Sequence, residues 1–268
     1  MRSITASLLS LASLVGCSAP PSRPAGGAIE EKILAAIASG EGRFDHSAWD
    51  RLLADGTVDG RVDYEIMASR RDELDAYLDA VAEADLATLA AAELEALLIN
   101  AYNALTVRSI LDHPGVSSIR EIDGVWKKRR HQVGGFDLTL DEIEHNLLRP
   151  YFKDPRIHFA VNCASASCAP LPPWAFTGEG LEEQLEERSA AFLTDPGNVR
   201  IEDGKLALSS YFTWYGGDFV ATDWSPRAET APLFVARYST DEVAEFIRAA
   251  EGEPIVVYLD YDWSLNGQ

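Results

Sequence analysis

Two cysteines five residues apart, Cys163 and Cys168, lie in the polar stretch Asn162-Cys-Ala-Ser-Ala-Ser-Cys168, five residues after His158. A cysteine becomes a useful nucleophile when a base takes its proton and a third group orients that base. With His158 as base and an asparagine to orient it or to donate to an oxyanion, either thiol has the parts for attack on an amide or ester. The same pair has other readings: a structural disulfide in an oxidising compartment, a thiol–disulfide exchange couple, or two buried thiols. Four intervening residues do not fit a Cys-X-X-Cys redox motif. No second pair stands at zinc-ligand spacing, so neither a metal nor a cofactor is expected.

Other polar residues stand where they can serve such a site. Asn100 and Asn103 are three apart and so share one face of a helix. They either pin a neighbouring loop or line a pocket opposite residues 158–168, Asn103 as a catalytic group and Asn100 as a substrate contact. Asn162, His145 and Glu144 are further candidate binding residues, and Trp214 and Tyr215 are a candidate pocket wall. Asp262 is a candidate pocket carboxylate, and the basic run Lys127-Lys-Arg-Arg-His131 reads as solvated surface.

These residues need elements to carry them. Residues 29–39 and 45–53 read as short amphipathic helices, and 71–111 as two helices with a break near 85–88. The stretch 97–111 is apolar nearly all round, as a buried helix is. Residues 128–139 predict a hairpin around Gly134-Gly135, and 141–149 a capped helix. Ile157-His-Phe-Ala-Val161 has strand composition, which places His158 and Asn162 on one face and Cys163 on the other. Residues 181–193 and 241–250 read as helices; 199–201, 205–209 and 255–259 read as strands. The class is α+β: a helical N-terminal half whose buried central helix packs on a mixed or antiparallel sheet. That arrangement is similar to papain-like or transglutaminase-like cysteine enzymes, although there the nucleophile opens the buried helix, and here the helix carries asparagines.

Five motifs in order resemble the domain of unknown function 547 family. They are Ile99-Asn-Ala-Tyr-Asn-Ala104; Glu142-Ile-Glu-His145 with Leu148-Arg149; and the segment from Asp154-Pro to Cys168. The others are Leu208-Ser with Phe212-Thr-Trp-Tyr215 and Asp218-Phe219, and the terminal Asp260-Tyr-Asp-Trp-Ser-Leu-Asn266. The resemblance covers residues 44–267, with Leu98 where a tryptophan is common. It implies no established activity, so function has to be argued from the residues.

The N-terminus predicts where the protein works. Met1-Arg2, an apolar run from Ile4 to Val15 and Leu14-Val-Gly-Cys17 resemble a bacterial lipoprotein leader. Residues 1–16 are then a signal peptide, Cys17 the lipidated (palmitate-bearing) residue, 17–28 a flexible tether and 29–268 one domain. Ser18 favours the outer membrane, with the domain facing the periplasm and the lipid as its only membrane contact. With 43 acidic against 23 basic side chains and a net charge of −20, sequence-independent binding to nucleic acid is excluded. The expectation is a cell-envelope lipoprotein acting as a cysteine-dependent hydrolase or acyltransferase. The alternatives are a binding module for a peptide, glycan or envelope protein, using a polar Asn/His cleft, and a thiol–disulfide exchange protein.

Overall fold

A computed structural model describes residues 26–267. The expected signal peptide, Cys17 and nearly all of the expected tether lie outside the described residues.

Helices α1 (Gly27–Ser39) and α2 (Ser47–Gly56) lead into a two-stranded antiparallel turn, β1 (Thr57–Val58) and β2 (Arg61–Val62). Helix α3 (Tyr64–Ser69) starts where the Asp63 carboxylate accepts from the amides of Glu65 and Ile66. Helix α4 (Arg71–Glu83) is separated from α5 (Ala91–Leu111) by a 3₁₀ turn at Leu86–Thr88, the break expected there. Nearly every residue of α5 is buried, as its uniform apolarity requires.

The central helix is not laid on a sheet. It packs against α1, α3, α4 and the helical segments that follow it. The reason is one of size. A helix of 21 residues is about 31 Å long, whereas the strands have two to four residues and span at most about 13 Å. Only helices are long enough to cover it.

The hairpin β3 (His131–Val133) and β4 (Phe136–Leu138) turns at Gly134 and Gly135, both with positive φ (59° and 80°). Their amides donate to the carbonyls of Val81 and Ala82, which docks the turn on the end of α4. Next come α6 (Leu140–Glu142), a π-helical turn (Ile143–Leu148) and α7 (Arg149–Phe152), opened by a reciprocal capping box between Thr139 and Glu142.

The strand expected at 157–161 is a 3₁₀ turn, Pro155–Phe159. Asp154 accepts from the Arg156 amide and Pro155 occupies the first turn, a helix-start signal that outweighs the β-like composition. The two-faced alternation predicted for His158 and Cys163 is therefore absent.

Helix α8 (Leu181–Leu193) precedes β5 (Val199–Glu202) and β6 (Lys205–Leu208). Then follow α9 (Tyr211–Trp214), α10 (Ala231–Tyr238), α11 (Asp241–Ala249) and β7 (Val256–Tyr258). These strands form a mixed sheet of order β5-β6-β7, antiparallel then parallel. It shares a second apolar core, which includes Phe159, Phe192, Phe219 and Phe234, with α8, α10 and α11.

Asn100 is a clamp between α5 and the loop before α8. Its Oδ1 accepts from the Phe176 amide at 3.0 Å and its Nδ2 donates to the Phe176 carbonyl at 2.7 Å. A strand partner would make the same two bonds. Nδ2 also lies 3.1 Å from Nδ1 of buried His46, whose Nε2 is 3.1 Å from Glu93. Asn100→Ala is expected to lower stability by about 2–4 kcal/mol, since it strands buried backbone groups. Urea unfolding measures this; the alkylation profile of Cys163 should stay where it is.

Candidate functional site

The loop that carries both cysteines is shaped by three asparagines. Asn103 on α5 accepts from the Asn162 amide at 2.7 Å and donates to the Ala160 carbonyl at 3.0 Å. Asn162 donates to the Ala169 carbonyl at 2.7 Å and accepts from the Ala164 amide at 2.9 Å. Asn266, near the C-terminus, donates its Nδ2 to Asn162 Oδ1 at 3.0 Å and its amide to the Ala164 carbonyl. This cage holds Ala164 at a φ of 60°, a left-handed conformation that a residue other than glycine adopts only under external constraint. The chain thus reverses just after Cys163. Asn100, Asn103 and Asn162 all spend their amides on backbone and none lines the cavity described below. The pinning alternative, rather than the pocket alternative, describes their placement.

Both cysteines are free thiols. Cys168 is buried; its sulfur accepts from the Cys163 amide at 2.8 Å and from the Tyr211 hydroxyl at 3.1 Å. Burial, together with the neighbouring Cys163, pushes its pKa well above that of an ordinary thiol. Cys163 is partly exposed, with the Ser165 hydroxyl at 3.0 Å and the Tyr261 hydroxyl at 3.2 Å from its sulfur. A hydrogen bond from the Cys168 thiol does most to lower its pKa. Those from Ser165 and Tyr261 add to it against the opposing effect of burial, and the result is about 7. The two neighbouring thiols are therefore shifted in opposite directions, Cys163 towards the thiolate and Cys168 towards the thiol.

The cysteines open onto a cavity of about 280 Å³. Its walls are aromatic: Tyr102 from α5, Trp126, Trp214, Tyr215 and, from the C-terminal segment, Tyr261 and Trp263. Asp141, Glu144 and His145 from α6 and the π-helical turn complete it, with Lys127 at the edge. The π turn widens the helix at the point where Glu144 and His145 leave it, a distortion common at functional positions.

Behind the wall lies a buried chain of hydrogen-bonded charged and polar groups. Arg149 grips Asp218 through Nε at 2.8 Å and Nη2 at 2.9 Å, and its Nη1 reaches His145 Nδ1 at 3.0 Å. A guanidinium only donates. So His145 Nδ1 carries its lone pair and the ring proton is on Nε2. Asp218 also faces His158 Nε2 at 2.8 Å. Burial alone would raise the Asp218 pKa, but the bonds from His158 and Arg149 outweigh it and hold the carboxyl below its usual range. An ionised Asp218 makes His158 Nε2 the donor and leaves the lone pair on Nδ1. Burial pushes the His158 pKa down by more than Asp218 restores. His158 is 1% exposed, stacks on Tyr215 with ring centroids 3.8 Å apart, and makes no hydrogen bond to either sulfur.

Residues 86–193 match the family model described as Protein of unknown function, DUF547. The chain belongs to the DUF547 family. No curated protein and no solved structure matches it. The matched part of this DUF547 chain runs from the 3₁₀ turn at Leu86 to the end of α8 and includes both cysteines, His158 and the π turn. Tyr261, Trp263, Asn266 and Asp218 come from beyond it.

Of the predicted residues, the cavity of this DUF547 domain gathers Cys163, Cys168, His158, His145, Glu144, Trp214 and Tyr215. Asp262 is exposed and accepts from the Ser264 amide, so it does not serve as a pocket carboxylate. Lys127, read as solvated surface, lies at the cavity edge. Tyr261, Arg149 and Asp218 were missed as individual groups, although the motifs Asp260-Tyr-Asp-Trp, Leu148-Arg149 and Asp218-Phe219 contain them.

Iodoacetamide should therefore alkylate Cys163 with a midpoint near pH 7 and leave Cys168 unmodified in the folded protein. A depressed pKa depends on its donors, so Tyr261→Phe and Ser165→Ala should each move the midpoint upward. At pH 6.5 the rate should fall several-fold, while at pH 9 it changes little. Mass spectrometry of the alkylated peptides measures both.

Proposed function

We propose that this domain is a cysteine-dependent hydrolase or acyltransferase, with Cys163 as its nucleophile. The observation that carries the reading is the Cys163 sulfur itself: partly exposed at an aromatic cavity and held by hydroxyl and thiol donors that favour the thiolate. A thiolate already ionised at neutral pH needs no base in contact with it, which is consistent with His158 making no bond to either sulfur.

In this reading the Cys163 sulfur attacks the carbonyl carbon of an ester or amide and the carbonyl electrons move to oxygen. His145 is the donor for that oxyanion. Its Nε2 carries the proton, 3.7 Å from Asp141 Oδ1 and beyond hydrogen-bond reach of it, and Arg149 at Nδ1 keeps the tautomer fixed. The role first given to an asparagine passes to this histidine, because Asn103 spends both amide atoms on backbone. Collapse of the adduct breaks the C–O or C–N bond, the departing oxygen or nitrogen takes a proton from water in the cavity, and a thioester is left on Cys163. Water or a second nucleophile then releases the acyl group and restores the thiolate. His158 braces Tyr215 in the wall.

The leader-like Leu14-Val-Gly-Cys17 supports a lipid-anchored location in the cell envelope, with the acidic domain in the periplasm and peptide, glycan or envelope-protein material within reach. No helix among the described residues is long and apolar enough to cross a membrane.

The test uses p-nitrophenyl butyrate and a thioester of the same acid. Turnover and an acyl adduct on Cys163, seen by intact mass, are expected. Cys163→Ser should lower the rate by about 10³-fold, and Cys168→Ser should retain the adduct. Equal turnover in Cys163→Ser overturns the reading. So does the absence of any adduct while iodoacetamide still modifies Cys163, which is the behaviour of a binding module.

A further inference from the structure

Glu144 is only 5% exposed; the Tyr215 hydroxyl donates to its carboxylate, but Oε1 has no hydrogen-bond donor. A buried carboxylate oxygen left without a donor is costly unless a ligand supplies one. Glu144 lines the aromatic cavity. Its one ion-pair neighbour among the described residues is His145, whose Nδ1 lies 3.8 Å from Oε1 and carries a lone pair turned to Arg149. That nitrogen offers Glu144 no proton. The second carboxylate in the wall, Asp141, already faces a cation, Lys127 Nζ at 3.9 Å.

The surroundings favour the same kind of guest. Trp214 and Trp263 stack with centroids 5.8 Å apart, Tyr261 lies 4.7 Å from Trp214 and 4.5 Å from Trp263, and Tyr215 abuts Trp214 at 6.4 Å. Aromatic faces attract cations through their quadrupoles, most strongly where water is excluded. One cation already uses this wall: the Arg120 guanidinium sits 5.1 Å from the Trp263 ring. A cavity with a buried carboxylate oxygen that lacks a donor, and with aromatic walls, is complementary to a positively charged N–H donor.

We infer that the substrate of this cavity bears a protonated amine or other organic ammonium group, which Glu144 pairs and the Trp214–Tyr261–Trp263 cluster encloses. The inference rests on the reading of this cavity as the substrate site. It narrows the acyl donor or acceptor to an amine-bearing molecule, such as an amino-acyl ester or amide.

Binding can be tested without any reaction. Tryptophan fluorescence, with Trp126, Trp214 and Trp263 in the wall, follows titration with phenethylammonium, with its neutral counterpart 2-phenylethanol, and with the anion phenylacetate. The cation is expected to bind at least about tenfold more tightly than the alcohol, equivalent to about 1.4 kcal/mol, and the anion least. Glu144→Gln, close to isosteric, should bring cation and alcohol to near-equal affinity while binding of the alcohol persists, which also shows that the variant is folded. Cys163→Ser should keep the preference. Equal binding of cation and alcohol by the wild type overturns the inference, as does an undiminished preference in Glu144→Gln or tighter binding of phenylacetate. If the preference fails while the Cys163 adduct still forms, only this inference falls. If the preference holds and no adduct forms, the reaction falls and the ammonium site stands.

Discussion

The hydrogen bonds between Asn103 and the backbone of residues 160–162 are the constraint on which the site depends. Helix α5 is buried along almost its whole length, so any polar group on it must find a partner inside the protein. Asn103 meets that requirement by bonding the Ala160 carbonyl and the Asn162 amide, which ties the cysteine loop to the buried central helix. Asn162 passes the constraint to Ala164 and Ala169, and Asn266 closes it from the C-terminal segment. The left-handed Ala164 is tolerable only inside this cage. It makes the turn that sets the Cys163 sulfur among Cys168, Ser165 and Tyr261. Asn100 does the same work one turn earlier on the Phe176 backbone, away from the cavity.

Two adjacent thiols acquire opposite characters from this arrangement. Cys168 lies deeper and accepts bonds from the Cys163 amide and Tyr211, yet burial dominates and keeps its proton on. The Cys163 sulfur meets the cavity and faces the Cys168 thiol and the Ser165–Tyr261 hydroxyl pair, themselves bonded at 2.6 Å, so its proton is lost more easily. Cys163 N–H and Ala164 N–H are both engaged within the loop, which removes the usual backbone donors for an oxyanion. In the proposed reaction the donor is His145, another lining residue, whose tautomer Arg149 fixes. The buried Arg149–Asp218–His158 chain is thus a scaffold for the wall rather than a relay to sulfur. Asp218, gripped by Arg149 and His158 together, binds α7, the turn at Pro155–Phe159 and the loop after α9 into one unit.

Much of the element order was legible because it depends on local signals. The capping box at Thr139, the Gly134-Gly135 hairpin, the break between α4 and α5 and the limits of α8 are all settled by residues within a few positions of one another. The segment 157–161 was misread because Ile, Phe and Val enrich buried turns as well as strands. Asp154-Pro155, the deciding signal, stands just before it. Helices α3 and α10 are short and begin after caps at Asp63 and Thr230, signals overlooked beside longer patterns.

By itself the sequence determined the α+β class, the all-round burial of α5, the inventory of two thiols with nearby histidines and asparagines, and membership of a family through ordered motifs. These follow from periodicity, capping and residue type, which act over short distances along the chain. Tertiary structure alone decided which polar groups are structural and which face the cavity. An asparagine three residues from another looks the same whether its amide meets backbone or ligand. Only packing showed that Asn100 and Asn103 are consumed, that Tyr261, from far along the chain, reaches Cys163, and that Glu144 Oε1 is buried without a donor. The balance of desolvation against hydrogen bonding that separates Cys163 from Cys168 depends on those long-range contacts.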